Sequence, residues 1–188
     1  MTNLKFEDLS IQNAKDVIQI IQSSRVVKNL IMDEEIELIG IDNFEHAIRI
    51  ENCVISKWSG SSTQFTKLVE FYNCHFDSCS FMFTYFLAGF KITNCTFEKY
   101  IDFQAGGHNA ESCAVEINKN TFNSYVNFFD CWYHDPVLMT DNEFKKGTNI
   151  LCGTNKVLTT FVLSPIIENN RGNLKINSEM IEDSGYLN

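Results

Sequence analysis

Three polar residues at equivalent places in short predicted strands are the first candidates for chemistry in this chain: Asp102, Asn127 and Asn149. Each lies between two residues expected to point inward, so the three side chains should form one outward column when the strands stack in register. Tyr100 and Tyr125 flank the column, and exposed aromatic rings beside polar groups are typical of recognition surfaces. The competing interpretation is that the stacked tyrosines only stabilise neighbouring strands. The column is therefore the first predicted binding face.

The same column lacks the groups needed to cleave a polysaccharide. Glycoside hydrolysis uses two carboxylates about 5–10 Å apart, and the column supplies only Asp102. Asp130 and Asp135 are near in sequence but are not placed on the same face, and no Lys or Arg is placed as the base of a lyase. We predict no catalytic residue and a non-enzymatic protein.

A second set of candidate binding residues contains His108, Trp132 and Tyr133. His108 lies in an insertion at residues 104–112, and insertions in repeat proteins often form loops on the binding flank. Neutral variation in a surface loop is the alternative. Trp132 and Tyr133 begin a bulky segment ending at Pro136 that predicts a turn between repeats, and the proline could simply mark the bend.

Residues that bind metals or cofactors show no organised pattern. The four histidines form no His-x-His or His-Glu-x-x-His motif, and Cys74-His75 with Cys79 lacks the second ligand pair of a zinc site. The pair Gly106-Gly107 lacks the lysine and the spacing of a phosphate-binding loop. We predict no metal and no cofactor.

These candidates are positioned by a repeat. A motif of the form Ile-x-Asn-Asn/Cys-x-Phe recurs along the chain. Its fourth position is occupied in turn by Cys53, Cys74, Cys95, Asn120, Asn142 and Asn170. Successive copies are 21, 21, 25, 22 and 28 residues apart. Apolar and charged residues alternate before each copy, as in Ile48-Arg49-Ile50, which predicts strands with one buried face. A second short strand follows each copy, and about 21 residues leave room for a third. Each repeat is therefore predicted to be one coil of a β-helix.

Two columns test this register. The first outward position carries Arg49, Glu70, Lys91 and Glu116, so that opposite charges face each other on neighbouring strands. The fourth motif position is expected to point inward, where an asparagine stack satisfies turn backbone groups and a small buried cysteine can replace it. Metal ligation by the three cysteines is the alternative, but a column offers no tetrahedral arrangement.

The motif resembles the repeat of right-handed parallel β-helix proteins of the pectin-lyase-like class, over roughly residues 41–177. A shorter stretch resembles pentapeptide-repeat proteins, because phenylalanine recurs every five residues at Phe71, Phe76, Phe81 and Phe86. The resemblance implies an all-β fold, a right-handed parallel β-helix, and it implies little about activity because one fold hosts many functions.

The chain is predicted to form a single domain over residues 1–188. An N-terminal cap and irregular first coils occupy residues 1–40, repeat coils occupy 41–177 and a C-terminal tail occupies 178–188. Apolar residues at 14, 17, 18 and 21 have helical spacing and Asn13 is a suitable N-cap, which predicts an N-terminal capping α-helix.

The net charge of -9 disfavours binding to nucleic acid or to an anionic membrane. Seven cysteines without a signal-peptide pattern favour reduced thiols and a cytoplasmic protein. The leading hypothesis is an acidic rod that binds another protein, as an inhibitor or immunity-type partner does. The alternatives are a DNA mimic acting on a DNA-binding enzyme and a carbohydrate-binding or carbohydrate-active protein. A homodimer through one rod end is also considered.

Overall fold

Stacked parallel strands form a β-solenoid of about six turns in a computed structural model that describes residues 9–153 and 158–178. The predicted solenoid of strands with one short helix is confirmed. The helix, α1, spans Ala14–Gln22. The predicted tail at 178–188 lies outside the described residues except for Ser178, as do residues 1–8.

Each coil contributes strands to three sheets. Sheet A contains β1 (Ser10–Ile11), β3 (Leu30–Glu37), β5 (Val54–Ser59), β8 (His75–Ser80), β11 (Thr96–Phe97), β12 (Ile101–Asp102), β14 (Thr121–Phe122), β15 (Val126–Asn127) and β18 (Glu143–Phe144). Sheet B contains β2 (Val27–Lys28), β4 (Ile48–Glu51), β7 (Val69–Tyr72), β10 (Phe90–Thr93), β13 (Val115–Asn118), β17 (Val137–Thr140) and β20 (Ile166–Glu168). Sheet C contains β6 (Gln64–Phe65), β9 (Tyr85–Phe86), β16 (Trp132–Tyr133) and β19 (Thr160–Phe161), joined across its middle by single bridges at Gly107.

The turn from sheet B to sheet A explains the repeated asparagines. Its first residue has φ between 53° and 58° each time the turn occurs, at Asn29, Asn52, Asn73, Asn94, Lys119, Asp141 and Asn169. Asparagine tolerates this left-handed conformation better than most residues. From Asn52 onward the next residue points inward and is the fourth motif position, so the predicted inward column is confirmed.

Cysteine and asparagine fill this inward column in the same way. Asn142 accepts a hydrogen bond from the backbone N–H of Asn120 (2.9 Å) and donates one to the carbonyl of Ile117 (2.7 Å). Cys74 donates to the carbonyl of Ile50 (3.5 Å), and the sulfur of Cys95 accepts from the N–H of Cys74 (3.4 Å). The three cysteines therefore act as structural hydrogen-bonding groups. In the described ranges, no group of three or more His, Cys, Asp or Glu is placed to hold a metal ion.

The core is built from aromatic stacks along the solenoid axis. The rings of Phe76, Phe97, Phe122 and Phe144 lie nearly parallel, with successive centroids 4.8, 5.1 and 4.7 Å apart. These distances match the spacing of neighbouring strands, because equivalent side chains in register stack directly on one another. The stacked phenylalanine rings therefore help to fix the register between neighbouring coils.

The charge ladder on sheet B forms in the predicted register. Arg49 pairs with Glu70 at 3.5 Å, and Lys91 pairs with Glu116 at 2.9 Å. These side chains are partly exposed, so each pair contributes only a few tenths of a kcal/mol. The ladder's main consequence is a face of alternating charge.

Helix α1 closes the N-terminal end of the core, as predicted. Asn13 caps it by accepting a hydrogen bond from the N–H of Asp16 (2.9 Å), and Val17 and Ile21 are completely buried. Among the described residues, no helix is long and apolar enough to cross a membrane.

Candidate functional site

The polar column predicted from the sequence does form. Asp102 is in register with Asn127, and a bridge between Val126 and Thr148 places Asn149 next in line. Asn127 donates to Asp102 (3.0 Å), and Asn149 donates to Asn127 (2.7 Å). The column is a continuous chain of side-chain hydrogen bonds along sheet A.

Two of the three residues of this column, and one of its two flanking tyrosines, are buried. Tyr125, Asn127 and Asn149 are at most 2% exposed. The hydroxyl of Tyr125 donates to the carbonyl of Ser178 (2.5 Å), and Asn149 donates to the same carbonyl (3.1 Å). The expectation that these three residues form an exposed face is wrong, because the chain near Ser178 returns across them. Tyr100 and Tyr125 stack with centroids 6.2 Å apart, which fits the stabilising interpretation.

Tyr100 and Asp102 are half-buried and line a groove of about 540 Å³ on the outer face of sheet A, which we call the sheet A groove. Its central row is set by strand register, running through Glu37, Ser59, Ser80 and Asp102. Lys57 pairs with Glu35 (2.7 Å) at one border. The groove therefore combines a row of hydroxyl and carboxylate groups with apolar side chains such as Trp58 and Met82.

The electrostatics of the groove are dominated by burial. Burial raises the pKa of Asp102, while the N–H of Gln104 (2.9 Å) and the amide of Asn127 partly oppose it. Burial, and then the charge of Asp102, raises the pKa of Tyr100. Glu37 and Asp102 are three strand spacings apart, about 14 Å, which exceeds the separation that a glycosidase pair uses. The groove's geometry favours binding over hydrolysis by these two carboxylates.

A second surface runs along the outside of sheet C. The ring of His108 lies 4.2 Å from that of Tyr85 and 5.6 Å from that of His134, measured between centroids. Trp132 stacks on His134 at 5.8 Å with an interplanar angle of 14°. We call these four residues the aromatic stripe. The stripe spans three successive coils and includes the predicted residues His108 and Trp132.

The backbone at Gly107 and His108 places the stripe. Gly107 bridges Tyr85 and Trp132, and a Cβ on Gly107 would lie only 2.7 Å from the carbonyl oxygen of Trp132. Its φ is 95°, and that of His108 is 56°. His108 is aligned with Phe86 and Tyr133 in the neighbouring coils, and both of those side chains point into the core. The left-handed conformation of His108 instead turns its imidazole outward, where it contacts Tyr85. Within the predicted insertion at 104–112, Gly107 therefore joins sheet C through two single bridges.

Charge and exposure differ along the stripe. Burial and the neighbouring His134 lower the pKa of His108, and Asp130 opposes them. Trp132 is 47% exposed. Tyr133 is only 4% exposed, and burial raises its pKa. The predicted turn from Trp132 to Pro136 begins later than expected, with a bend at His134 and Asp135. Trp132 and Tyr133 instead form strand β16, so alternation sends Tyr133 into the core.

Sequence reasoning missed Tyr85 and His134. A signal for Tyr85 was present, because Tyr85, His108 and Trp132 are separated by 23 and 24 residues, close to one coil. The same interval that aligns the repeated asparagines therefore aligns Tyr85 with His108.

Comparisons of the chain with protein-family models, with curated proteins and with solved structures found no match.

Proposed function

We propose that this protein is a non-enzymatic rod that binds a basic protein partner through the aromatic stripe. The observation that carries the proposal is the continuous contact of Tyr85, His108, His134 and Trp132 on one outer face. Tryptophan and tyrosine are enriched among residues that dominate binding energy. Rings held on a rigid sheet lose little conformational entropy on binding.

Nearby charge indicates the chemistry of the partner. Asp130 is exposed, and its charge acts on His108, while Asp135 directly follows His134. An exposed indole with two carboxylates within three residues of it in the chain suits an arginine or lysine side chain, which combines cation–π and ionic attraction. The net charge of -9 steers a basic protein toward the rod. Such a contact would serve an inhibitor or immunity-type protein.

The test is capture from native lysate with tagged wild-type protein and two variants. Trp132→Ala removes the indole of the stripe, which is 47% exposed, and Tyr72→Ala is the matched control because Tyr72 is 51% exposed on sheet B. We expect wild type and Tyr72→Ala to recover the same basic protein in stoichiometric amount, and Trp132→Ala to bind it at least about tenfold more weakly. Equal binding by Trp132→Ala, or recovery of no specific protein, would refute the proposal.

A second candidate function is carbohydrate binding in the sheet A groove. The observation that favours it is the row of serines between Glu37 and Asp102, with Tyr100 alongside. A glycan array followed by calorimetry tests it, with Asp102→Ala expected to abolish binding and Glu116→Ala on sheet B as the control. Failure of the wild-type protein to bind any glycan on the array, or glycan binding that Asp102→Ala does not change, would exclude this function.

We propose that the chain is related to two classes of repeat protein. The Ile-x-Asn-Asn/Cys-x-Phe motif supports a relation to the pectin-lyase-like class, and the five-residue phenylalanine spacing from Phe71 to Phe86 supports one to pentapeptide-repeat proteins. The second relation would include DNA mimicry, which needs continuous negative charge and fits poorly with the paired ladder on sheet B. A DNA supercoiling assay that shows no effect of the protein would remove that alternative.

We also propose action in a reducing compartment such as the cytoplasm. The sulfurs of Cys53, Cys74 and Cys95 each lie within hydrogen-bond reach of backbone carbonyl oxygens, at 3.2, 3.3 and 3.4 Å, which suits protonated thiols and therefore the reduced form.

A further inference from the structure

The sheet A groove carries more negative than positive charge. Its lining contains three carboxylates, those of Glu35, Glu37 and Asp102, and one ammonium group, that of Lys57. Lys57 is already paired with Glu35, at 2.7 Å. Within residues 9–153 and 158–178, no Lys, Arg or His lies at ion-pair distance from Glu37 or Asp102. The groove therefore has two carboxylates to offer to a cation.

These two carboxylates stand at the ends of one straight row. The register runs through Glu37, Ser59, Ser80 and Asp102, which are the last residues of four neighbouring strands. Neighbouring strands are about 4.8 Å apart, so the row is about 14 Å long. The carboxylate of Asp102 is held by the backbone N–H of Gln104 at 2.9 Å. The separation between the two charges is therefore set by the sheet.

Hydroxyl groups occupy the row between the carboxylates. The Oγ of Ser59 donates to that of Ser61 (3.5 Å), and the Oγ atoms of Ser61 and Ser80 are 2.9 Å apart. A hydroxyl oxygen has two lone pairs, so Ser59 and Ser80 can also accept a hydrogen bond from a donor in the groove. The row thus offers one acceptor group on each of its four strands.

Apolar residues lie along the same groove. Ile39 is 50% exposed and Met82 is half-buried, and both line the groove. Its volume of about 540 Å³ falls in the range of small-molecule sites. A matching ligand therefore carries hydrogen-bond donors at regular intervals, positive charge at both ends and apolar segments between.

We infer that the sheet A groove binds a linear aliphatic polyamine, a methylene chain interrupted by ammonium groups. In an extended polyamine, nitrogens separated by three methylenes are about 5 Å apart, close to the strand spacing of about 4.8 Å. A tetraamine lying along the row brings one nitrogen to each strand. Its terminal ammonium groups then meet Glu37 and Asp102, its inner nitrogens donate to the serines, and its methylenes pack against Met82.

Other ligands match the row less well. A neutral glycan can bond to the serines but gains no ionic attraction from Glu37 and Asp102, and an anion is repelled. An ammonium group beside Asp102 favours the charged carboxylate, against the burial that raises its pKa. The polyamine thus differs in class from the ligand of the second candidate function, and its binding does not depend on the aromatic stripe.

The test is calorimetry with spermine, a linear tetraamine, at about 150 mM salt, which screens attraction to the acidic chain as a whole. We expect wild-type protein to bind a single spermine. Glu37→Gln and, separately, Asp102→Asn should each weaken binding at least about tenfold. Both variants should melt as wild type does, because Glu37 is exposed and the amide oxygen of Asn can still accept from Gln104.

Glu45→Gln is the matched control, because Glu45 is an exposed carboxylate outside the groove, and this variant should bind spermine as wild type does. Putrescine, whose two nitrogens span only about two strands, should bind at least about tenfold more weakly than spermine.

Three results would overturn the inference. The first is no binding by wild-type protein at millimolar spermine. The second is binding that neither Glu37→Gln nor Asp102→Asn weakens, or that Glu45→Gln weakens equally, which would indicate attraction to the acidic surface in general. The third is binding of a neutral N-acetylglucosamine tetramer and not of spermine, which would leave the groove to the carbohydrate function.

Discussion

His108 and Tyr85 come from consecutive coils, and their rings lie 4.2 Å apart on the outer face of sheet C. The contact exists because the backbone of His108 is left-handed (φ 56°), which reverses the side expected from strand alternation. His134 lies on the other side of the same imidazole, with centroids 5.6 Å apart. The imidazole is therefore held between an aromatic ring and a second basic group.

This placement predicts a pH dependence of stability. Burial and His134 lower the pKa of His108, against the opposing charge of Asp130. The unfolded chain then takes up this proton at a higher pH than the folded chain does, so stability is lost as pH falls from about 6.5 through the lower folded pKa. Urea unfolding between about pH 7.5 and pH 5 should show this loss, and His108→Gln should reduce the slope. An unchanged slope in His108→Gln would contradict the assignment.

Gly107→Ala should destabilise the protein and disrupt the aromatic stripe. Its φ of 95° disfavours a side chain, and the new Cβ would lie 2.7 Å from the carbonyl oxygen of Trp132. We expect a loss of about 2–4 kcal/mol in the free energy of unfolding. Gly153→Ala is the control, because nothing lies within 4 Å of its Cβ position, and it should behave as wild type. The idea fails if both variants unfold at the same denaturant concentration.

Asn142→Ala should be costly, whereas Asn142→Cys should be tolerated better. Alanine leaves the buried N–H of Asn120 and carbonyl of Ile117 without their partner, at a cost of about 3 kcal/mol. Cysteine can make each of these contacts, because the sulfur of Cys95 accepts from a backbone N–H and that of Cys74 lies near the carbonyl of Ile50 in earlier coils. Chemical denaturation of the two variants measures the difference, and equal losses would show that the thiols do not replace the amide.

Thiol reactivity should be confined to one cysteine. All seven cysteines lie in the described ranges; Cys113 is half-buried and the other six are buried. Burial raises the pKa of Cys131 to about 12 and also raises that of Cys79, so these thiols are poor nucleophiles. We expect a thiol reagent to modify about one group per native chain and seven after unfolding.

The control for this titration is Cys113→Ser, which should remove the fast reaction. Rapid modification of several thiols in the native protein would mean that the core opens readily.

The fold could be predicted because the sequence repeat marks each coil of the solenoid. The positions of Cys53 through Asn170 set the coil boundaries, and alternation around Arg49 and Glu70 set the strand faces, all from residues near one another in sequence. The site was predictable only in part. Asp102, Asn127 and Asn149 were correctly aligned because strand register is a local consequence of the repeat.

Exposure was decided by the tertiary structure. Tyr125 is covered through a hydrogen bond to Ser178, 53 residues away, and no local pattern encodes that return of the chain. The outward turn of His108 depends on the close approach of Gly107 to Trp132, which lies one coil further along the chain. The sequence by itself determined the coils, the register and the inward column, because these follow from alternation and turn chemistry. Only the folded chain decided which side chains remain available to a partner, because burial is set by segments distant in sequence.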